Sequence, residues 1–545
     1  MSCIIGAHAR AWRILPALAA FALLLFHFNS FAQERFGELN GTITDPSGAV
    51  LPNVAVSVTA NESGRIFTTK SGSEGTYVIR PLEPGYYTAR FELTGFTTHE
   101  VPSIQLLAGQ ILKVNAPLQL TGSQQSVQVT ESAPLIDVTQ TIIAHDVTSE
   151  EIERLPKGRS FQQLALVAPS VNSGEIEGGF QVNGASGAEN QFIIDGVSTT
   201  SLLNGKSRQD AAFEILKEVQ VKTGGITAEY GGAMGGVISA ITRSGGNQFH
   251  GDVHYYYGGN RMSAGPVKRL LLDPTDEKTV SYVQDHKNQN DNHEPGFSLG
   301  GPFIRNKLYF FSAASPRWQR TENTYLLDDG TDTVKRERTF HMLFNKLNWD
   351  PTSRVRTNFT WLWTPTRSAG RLPAYDFTGN RLTLDQAALQ PYKSQGFFQP
   401  QSSYTGQVDV TLTSTTLLTV RGGRFWDDFN STGIPEQAAV EWGASSENIA
   451  SLPPELRRPT GYRNIPRALK TYHDVTARTH VQTDAGKYFT LFGQHNLKGG
   501  WGLSKTVNNV DERYPGAATC WSISTRATKA PSMRHHSGVR TDSIR

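Results

Sequence analysis

The sequence predicts a mainly β protein in three successive parts: a β-sandwich, a mixed α/β domain and part of an antiparallel transmembrane β-barrel. The 51 glycines and the low share of charged residues, 19%, are typical of turn-rich β structure. Short runs alternate between apolar and polar residues, as half-buried strands do. A mean hydropathy of −0.37 excludes a bundle of membrane helices but allows a barrel, in which only one residue in two faces lipid.

The amino terminus has the pattern of a secretory signal peptide over residues 1–32. Arg10 and Arg13 precede an apolar run at residues 14–26, and a small-x-small motif ends at Ala32. Cleavage there leaves Gln33 as the first residue. The alternative is a membrane anchor, but a run of about 13 apolar residues is too short to span a bilayer.

Charge and cysteine content limit the partners and the covalent stabilisation of the chain. Lys and Arg total 52 against 49 Asp and Glu, so the net charge of +3 indicates no nucleic-acid partner. Cys3 leaves with the signal peptide and Cys520 stands alone. The mature chain therefore has no intramolecular disulfide, and burial and strand pairing must stabilise it.

Residues 35–120 read as a small β-sandwich of about seven strands with regularly spaced turns. Val54, Val56 and Val58 point to one face, and a turn at residues 45–48 precedes them. The region resembles the carboxypeptidase regulatory-like domain, a prealbumin-like sandwich. The resemblance rests on Gly41-Thr42, Asp45, Gly48, Leu51-Pro52, Val54, Val56, Gly75, Tyr77, Gly85, Tyr87 and Gly95-Phe96. No His and Glu spacing for a catalytic zinc is present, so we interpret the domain as a structural or docking module.

Residues 121–248 change to a mixed α/β pattern. Thr148 and Glu151 mark a capped helix start, and residues 161–167 space as a second short helix. Residues 191–194 form a strand that ends at an Asp-Gly pair, and residues 211–216 form a helical turn. Glycines at positions 231, 232, 235 and 236 indicate close backbone approach, because no phosphate-loop spacing is present.

Five ordered motifs in this region resemble the plug domain of TonB-dependent outer-membrane receptors. They are Leu155 to Phe161, Val182 to Ala185, Phe192 to Val197, Ala228 to Gly231 with Gly235 to Val237, and Thr242 to Gly251. The preceding sandwich narrows the resemblance to the Oar-like branch. It implies a plug inside a 22-stranded barrel, which an inner-membrane TonB-type protein rearranges so that a bound ligand enters the periplasm.

Residues 249–516 carry the alternation of a partial outer-membrane barrel. Val355, Thr357, Phe359, Trp361 and Trp363 share one face, and Arg354, Arg356, Asn358 and Thr360 share the other. Lipid outside and water inside explain this pattern, and the paired tryptophans fit an interfacial girdle. We predict hairpins at residues 300–311 and 404–422 and an extracellular loop at residues 284–293. The alternative is a soluble sandwich.

The motifs offer no catalytic constellation, metal site or cofactor site. Asp195-Gly196 is first a turn signal, and Glu229 and Tyr230 are interpreted as packing residues of the plug motif, together with Gly231, Gly235 and Gly236. No nucleophile elbow and no zinc-spaced histidine pair is present. The chain is therefore predicted not to be an enzyme.

One short segment is the candidate for energy coupling. Ser126, Val127, Gln128, Val129 and Thr130 lie between the sandwich and the plug body, and their β-branched alternation suits strand addition to a partner's sheet edge. In the family that this chain resembles, such segments bind the TonB-type protein. The alternative is that this segment is simply the first plug strand.

Three functional hypotheses remain open at the level of sequence. The first is a TonB-dependent receptor that resides in outer-membrane lipid and takes up an unidentified small molecule, glycan or peptide, with its sandwich and plug accessible from the periplasm. The second is a non-transporting cell-surface or adhesion protein. The third is a secreted peptidase or glycan-processing enzyme, which lacks a converging set of catalytic groups.

The carboxyl-terminal part leads us to expect a truncated member of its family. About ten strands fit between residues 249 and 507, whereas 22 strands would need on the order of 570 residues after the plug. Fewer than 300 are present. Alternation ends at residue 516, and residues 517–545 form an atypical tail that we interpret as possibly out of frame. Sequencing of the coding region past residue 516 tests this expectation.

The signal peptide yields the first testable prediction. We expect the mature chain to begin near Gln33 and to fractionate with the outer membrane, because the apolar run is a removable export signal. Mass spectrometry of the amino-terminal peptide from membrane fractions measures this. Retention of residues 14–26 in the inner membrane would contradict it.

Overall fold

A computed structural model gives the architecture of the chain. It describes residues 36–121, 142–154, 160–174, 179–201, 205–226, 230, 232–272, 278–327, 329–374, 386–413, 415–434, 440–442, 462–463, 471–490, 494–513, 519–524 and 532–537. Strands dominate these residues, and the predicted mainly β fold class is confirmed.

The first domain is a sandwich of two antiparallel-rich sheets. Its strands are β1 (Gly37–Thr44), β2 (Ala55–Ala60), β3 (Ile66–Lys70), β4 (Thr76–Leu82), β5 (Gly85–Glu92), β6 (His99–Leu106), β7 (Ile111–Lys113) and β8 (Ala116–Pro117). One sheet has the order β4-β1-β7, with β8 also on β1, and the other has the order β3-β2-β5-β6. Val54, Val56 and Val58 are buried between them, as the alternation predicts.

The second domain is built around a mixed five-stranded sheet. Its elements are β9 (Ile143–Thr148), α1 (Ser149–Arg154), β10 (Val171–Ser173), β11 (Phe180–Val182), β12 (Gln191–Ile194), β13 (Val197–Ser198), β14 (Leu216–Gly224) and β15 (Val237–Thr242), with 3₁₀ segments at Phe161–Val167, Gly187–Glu189 and Phe213–Ile215. The sheet order is β13-β12-β15-β14-β9. The backbone N–H of Thr148 donates to Glu151 Oε2 at 2.9 Å, so the predicted helix start is capped. The segment predicted as helical at residues 161–167 adopts 3₁₀ rather than α geometry, and of residues 211–216 only Phe213–Ile215 is helical, again as a 3₁₀ turn.

The third part is one large antiparallel sheet of thirteen strands. Its strands and the hairpin and helix in its connections are β16 (His250–Gly259), β17 (Arg269–Leu272), β18 (Val280–Val283), β19 (Gln289–Ile304), β20 (Leu308–Ala314), β21 (Arg317–Leu327), β22 (Gly330–Phe340), β23 (Leu343–Thr352), β24 (Val355–Trp363), β25 (Thr366–Ala369), α2 (Gln386–Ser394), β26 (Gly396–Gln399), β27 (Gln401–Thr413), β28 (Thr416–Thr432), β31 (Thr471–Thr490) and β32 (Gln494–Arg513). Within the described ranges, β17 and β18 pair only with each other. In four pairs of consecutive strands, the second strand runs on in the direction of the first after a short interruption, so each pair counts as one barrel strand. The thirteen strands therefore correspond to nine barrel strands, close to the ten expected.

The two faces of the large sheet differ as the alternation predicts. Along β24, Phe359 and Trp363 are exposed on the outer face, whereas Asn358 and Thr360 are buried on the inner face. Connections at one end are short, at residues 305–307 and 353–354, whereas the other end has one short connection, at residues 328–329, and long ones at residues 260–288, 370–395 and 433–470. In outer-membrane barrels the short turns are periplasmic and the long loops are extracellular, which orients the molecule.

One predicted loop is wrong in part. Residues 284–293 were expected to form an extracellular loop because they are polar, but β19 begins at Gln289 and pairs with β16 and β21. Polar residues extend these strands because their side chains face the lumen or the water above the membrane. Hydrophilicity alone therefore does not mark the end of a barrel strand.

The last short strands lie outside the large sheet. They are β29 (Val440–Trp442), β30 (Tyr462–Arg463), β33 (Thr519–Ser524) and β34 (Ser532–Ser537), and they form a sheet of order β30-β29-β33-β34. Two of these strands fall in the tail, where the sequence showed no alternation. Among the described residues, no helix has the length and apolar character needed to cross a membrane.

Candidate functional site

The central domain packs against the inner face of the barrel sheet. Phe161, Leu164 and Ile215 of the central domain share one buried apolar cluster with Phe344 and Leu362 of the barrel. The backbone N–H of the neighbouring Ala212 approaches the sulfur of Met342 at 3.4 Å. This apolar contact involves β20, β23 and β24, and it fixes one side of the central domain to the wall.

The predicted Asp195-Gly196 turn joins β12 to β13. Both residues have positive φ, 46° at Asp195 and 84° at Gly196, which is the geometry of a type I′ hairpin turn and explains the Asp-Gly pair. The turn directs the Asp195 side chain toward the barrel wall. The residue is therefore both a turn former and a contact.

The Asp195 carboxylate is the centre of a buried polar cluster between the two domains. It accepts hydrogen bonds from Thr242 N at 3.1 Å and Thr242 Oγ1 at 2.5 Å, and from Thr360 Oγ1 of the barrel at 3.2 Å. The Lys346 ammonium lies 3.9 Å away and donates to Thr242 O at 3.1 Å. Both charged side chains are at least 96% buried, so each charge depends on the other for compensation.

A second ionic contact lies nearer the extracellular end. Arg208, in a loop of the central domain, donates from Nη1 to Asp427 Oδ2 at 2.6 Å and from Nη2 to Asp474 Oδ2. Asp427 is fully buried and also accepts from Gln399 and Gln401. One guanidinium therefore bridges two adjacent strands, β28 and β31, as its fork geometry allows.

An arginine of the barrel wall also donates hydrogen bonds to the central domain. Arg478 of β31 donates from Nη1 to the carbonyl of Ser198 at 3.0 Å and from Nη2 to that of Thr200 at 3.2 Å. Beside it lies a cavity of about 360 Å³ between the two domains, lined by both polar and apolar groups. The central domain is thus held by apolar packing on one side and by polar contacts on the other.

The sandwich covers the short-turn end of the barrel. Arg65 is buried there, donates to Asp350 Oδ2 at 2.7 Å and lies 3.6 Å from Glu83. Its guanidinium carbon stands 5.0 Å from the ring centroid of Tyr309. Arg356 of the barrel stacks 4.4 Å from the Phe67 ring of the sandwich. The two carboxylates keep the pKa of Arg65 above its ordinary value despite burial, so it remains charged.

The sandwich also contacts the sheet of the central domain. Glu218 Oε1 accepts from Ala108 N at 3.0 Å, and Gln220 Nε2 donates to Ala108 O at 2.9 Å. Burial raises the pKa of Glu218 well above the ordinary value, and the neighbouring Asp146 carboxyl raises it further. A protonated carboxyl at this junction is therefore favoured in the folded protein.

The other residues singled out from the sequence occupy varied positions. Tyr230 is buried, and its hydroxyl lies 2.6 Å from Lys222 Nζ. A Cβ at Gly235 would approach Asn190 within 2.6 Å, and one at Gly236 would approach Val182 within 2.8 Å, so both glycines permit close packing. The remaining residues lie outside the described residues: Ala32, Gln33, Ser126, Val127, Gln128, Val129, Thr130, Glu229 and Gly231. Their roles stay predictions.

Sequence reasoning missed the charged residues that join the domains. Arg65, Arg208 and Lys346 stand in no motif, and their partners are 285, 219 and 151 positions away along the chain. For Lys346 the sequence did contain one indication of an interdomain contact, because a lysine on the inner face of a barrel strand needs a partner in the lumen. In the part of the chain that the structure describes, no three His, Cys, Asp or Glu side chains form a group that could hold a metal ion.

Family models match the three parts in order. Residues 38–119 match the carboxypeptidase regulatory-like domain, residues 134–237 the TonB-dependent receptor plug domain, and residues 241–421 an outer membrane beta barrel domain. The TonB-dependent transporter Oar of Myxococcus xanthus is 33% identical over 333 residues, which is 58% of this chain. The chain has the domains of an Oar-like TonB-dependent receptor. Its central domain is the plug, and its localisation is the outer membrane.

Other relatives share the receptor fold. A probable TonB-dependent siderophore receptor of Acinetobacter baumannii, PirA, is 25% identical over 32% of this chain and 22% of its own length. The outer membrane transporter YddB of Escherichia coli superposes with a TM-score of 0.51 at 15% identity, over 72% of this chain and 52% of that structure. The chain spans 30% of the length of the Myxococcus xanthus relative.

The buried Asp195–Lys346 pair yields a prediction about plug seating. Asp195→Asn and Lys346→Met each leave one buried charge uncompensated, so each should cost about 3–5 kcal/mol of folding free energy. The double variant removes both charges and should lose clearly less than the sum of the two. The temperature at which outer-membrane fractions lose the folded gel mobility measures the effect. Strictly additive losses would contradict it. Arg90→Ala, at an exposed ion pair with Glu92, is the control.

The Glu218 junction yields a prediction about pH. Because folding raises the pKa of Glu218, its favourable contribution is fully present below the ordinary glutamate pKa and is lost as the pH rises through the raised value. Glu218→Gln can still accept the hydrogen bond from Ala108. We expect its melting temperature to fall less than that of the wild type between pH 5 and pH 8. Equal falls would refute the assignment, and Glu92→Gln is the exposed control.

Proposed function

We propose that this chain acts as a TonB-dependent outer-membrane receptor for the energised uptake of a ligand. The observation that carries the proposal is the way the plug is held. Charged and hydrogen-bonded contacts at Asp195, Arg208 and Arg478 attach it to the barrel wall, and a cavity of about 360 Å³ lies beside them. Such contacts can exchange for water when the plug moves, so a pulled plug can leave this polar side of the wall without exposing a large apolar surface there.

The topology of the plug supports mechanical coupling through its amino-terminal end. Among the strands that the structure describes, β9 lies at the edge of the plug sheet and pairs only with β14. The candidate coupling segment, residues 126–130, precedes β9 along the chain. A force applied to that segment by an inner-membrane TonB-type protein would therefore reach the edge of the plug sheet first. An edge strand is the part of a sheet that can be detached with the fewest broken pairings.

We propose only a broad class of ligand for this uptake. The names of the relatives include a siderophore receptor, and the long extracellular connections offer contacts for a small molecule, a glycan or a peptide. We infer that the chain performs transport and not covalent chemistry. The expected truncation of the chain stays a prediction.

Adhesion at the cell surface is the second candidate function. One observation favours it: the hairpin of β17 and β18 presents an exposed apolar face at the long-loop end. Leu270 pairs with Tyr282 and Leu272 pairs with Val280, and all four side chains are at least half exposed. An apolar face of this kind is typical of a contact surface.

A capture experiment tests the uptake proposal. Proline at Val127 or Val129 removes a main-chain donor and disfavours strand addition, while plug folding should remain intact. We expect an immobilised periplasmic domain of a TonB-type protein to capture the full chain from detergent extracts and to capture the proline variants far less.

Val127→Ile is the matched control, because it keeps a β-branched side chain and should be captured as the wild type is. Equal capture of the wild type and both proline variants would place the coupling segment elsewhere. Absence of any capture, together with binding of cells to surfaces that depends on Leu270 and Tyr282, would favour the adhesion function.

A further inference from the structure

The inner wall of the barrel carries an arginine cluster above the plug. Arg317 lies on β21, and Arg336 and Arg338 lie on β22, where the even-numbered side chains from Val334 to Phe340 face inward. Arg317 pairs directly with Phe340, which places it diagonally opposite Arg338. Residues two apart on one strand share a face about 7 Å apart, so three guanidiniums converge on one part of the wall.

Two of these arginines lack an internal counter-charge. The Nε atoms of Arg336 and Arg338 are buried and have no hydrogen-bond partner. Within the described part of the chain, neither guanidinium has a carboxylate within 4 Å, unlike Arg208 of the plug and Arg421 on the inner face of β28. Like charges at such short separation repel each other, and partial burial reduces their screening by water. Folding alone does not explain their presence.

Aromatic and amide side chains surround the cluster. The guanidinium carbon of Arg338 lies 5.6 Å from the Phe397 ring centroid, and that of Arg317 lies 4.9 Å from the Phe340 ring centroid. Phe397 stacks on Phe429 at 5.0 Å. A guanidinium that stacks on a ring through its face keeps its N–H groups free at the edge. Gln319, opposite Arg338 in the register, adds a neutral amide.

We propose that Arg317, Arg336 and Arg338 form the extracellular binding site for an anionic solute that carries two or more carboxylate or phosphate groups. Planar guanidinium forks bind such oxygens in bidentate fashion. The site faces the lumen, so the ligand is a soluble anion and not the phosphate of a membrane lipid. The assignment gives the substrate class of the uptake site and rests on the proposed function.

Direct binding to the full chain in detergent micelles tests the site. The probes are citrate for carboxylates and pyrophosphate for phosphates, and sucrose is the neutral comparison, each measured by calorimetry. We expect one or both anions to bind with an affinity that falls as salt is added. Arg336→Ala/Arg338→Ala should weaken binding by about tenfold or more, and Arg338→Lys should weaken it less.

Arg320→Ala is the matched control, because Arg320 lies on β21 but is exposed on the outer face. It should bind the anions within about twofold of the wild type. The melting temperature without a ligand should fall little in Arg336→Ala/Arg338→Ala, since the stacking of Arg338 on Phe397 is lost but no ion pair is broken. Added anion should raise it only in the wild type and Arg320→Ala.

Equal anion binding by the wild type, the double variant and Arg320→Ala would overturn the site, as would no binding of either anion. A large fall in melting temperature of the double variant, with unchanged anion affinity, would assign a structural role instead. Stabilisation by lipid A alone would show that lipid phosphate is the occupant and would also overturn it. None of these readouts involves the TonB-type protein, so failure of the site and failure of energised uptake are distinguishable.

Discussion

Charge compensation between plug and barrel is the interaction on which the rest of the arrangement depends. Strands that face lipid on one side must place their polar side chains in the lumen, where Lys346, Asp427 and Asp474 would otherwise lack a counter-charge among the described residues. The plug supplies those partners through Asp195 and Arg208. A barrel wall of this composition is therefore stable only with the plug in place or with water in its position.

The seat of the plug is asymmetric. Apolar packing joins it to β20, β23 and β24, whereas ionic and hydrogen-bonded contacts join it to β28 and β31. Separating apolar surfaces in water costs free energy. Separating polar contacts costs less, because water replaces most of the lost hydrogen bonds. The sandwich adds a third set of contacts at the periplasmic end, where Ala108 bonds to Glu218 and Gln220 of the plug. A movement of the plug must therefore break the sandwich junction as well as the wall contacts.

The sequence allowed prediction of the features that depend on local pattern. Alternation placed Phe359 and Trp363 on the lipid face, and the Asp-Gly pair predicted the turn at Asp195. The interdomain ion pairs could not be predicted, because their partners are separated by more than 150 residues and no local property links them. The misplaced boundary at Gln289 has a related cause, since strand pairing above the membrane is decided by neighbours and not by hydropathy.

Hydrogen–deuterium exchange of the chain in outer-membrane vesicles tests most directly whether the plug is seated by the barrel wall. We expect amides of β12, β14 and β15 to exchange as slowly as those of β24 and β27, and Lys346→Met to speed exchange in the plug strands while the barrel strands stay protected. Fast exchange of the plug strands in the wild type, or equal plug protection in the wild type and Lys346→Met, would contradict it.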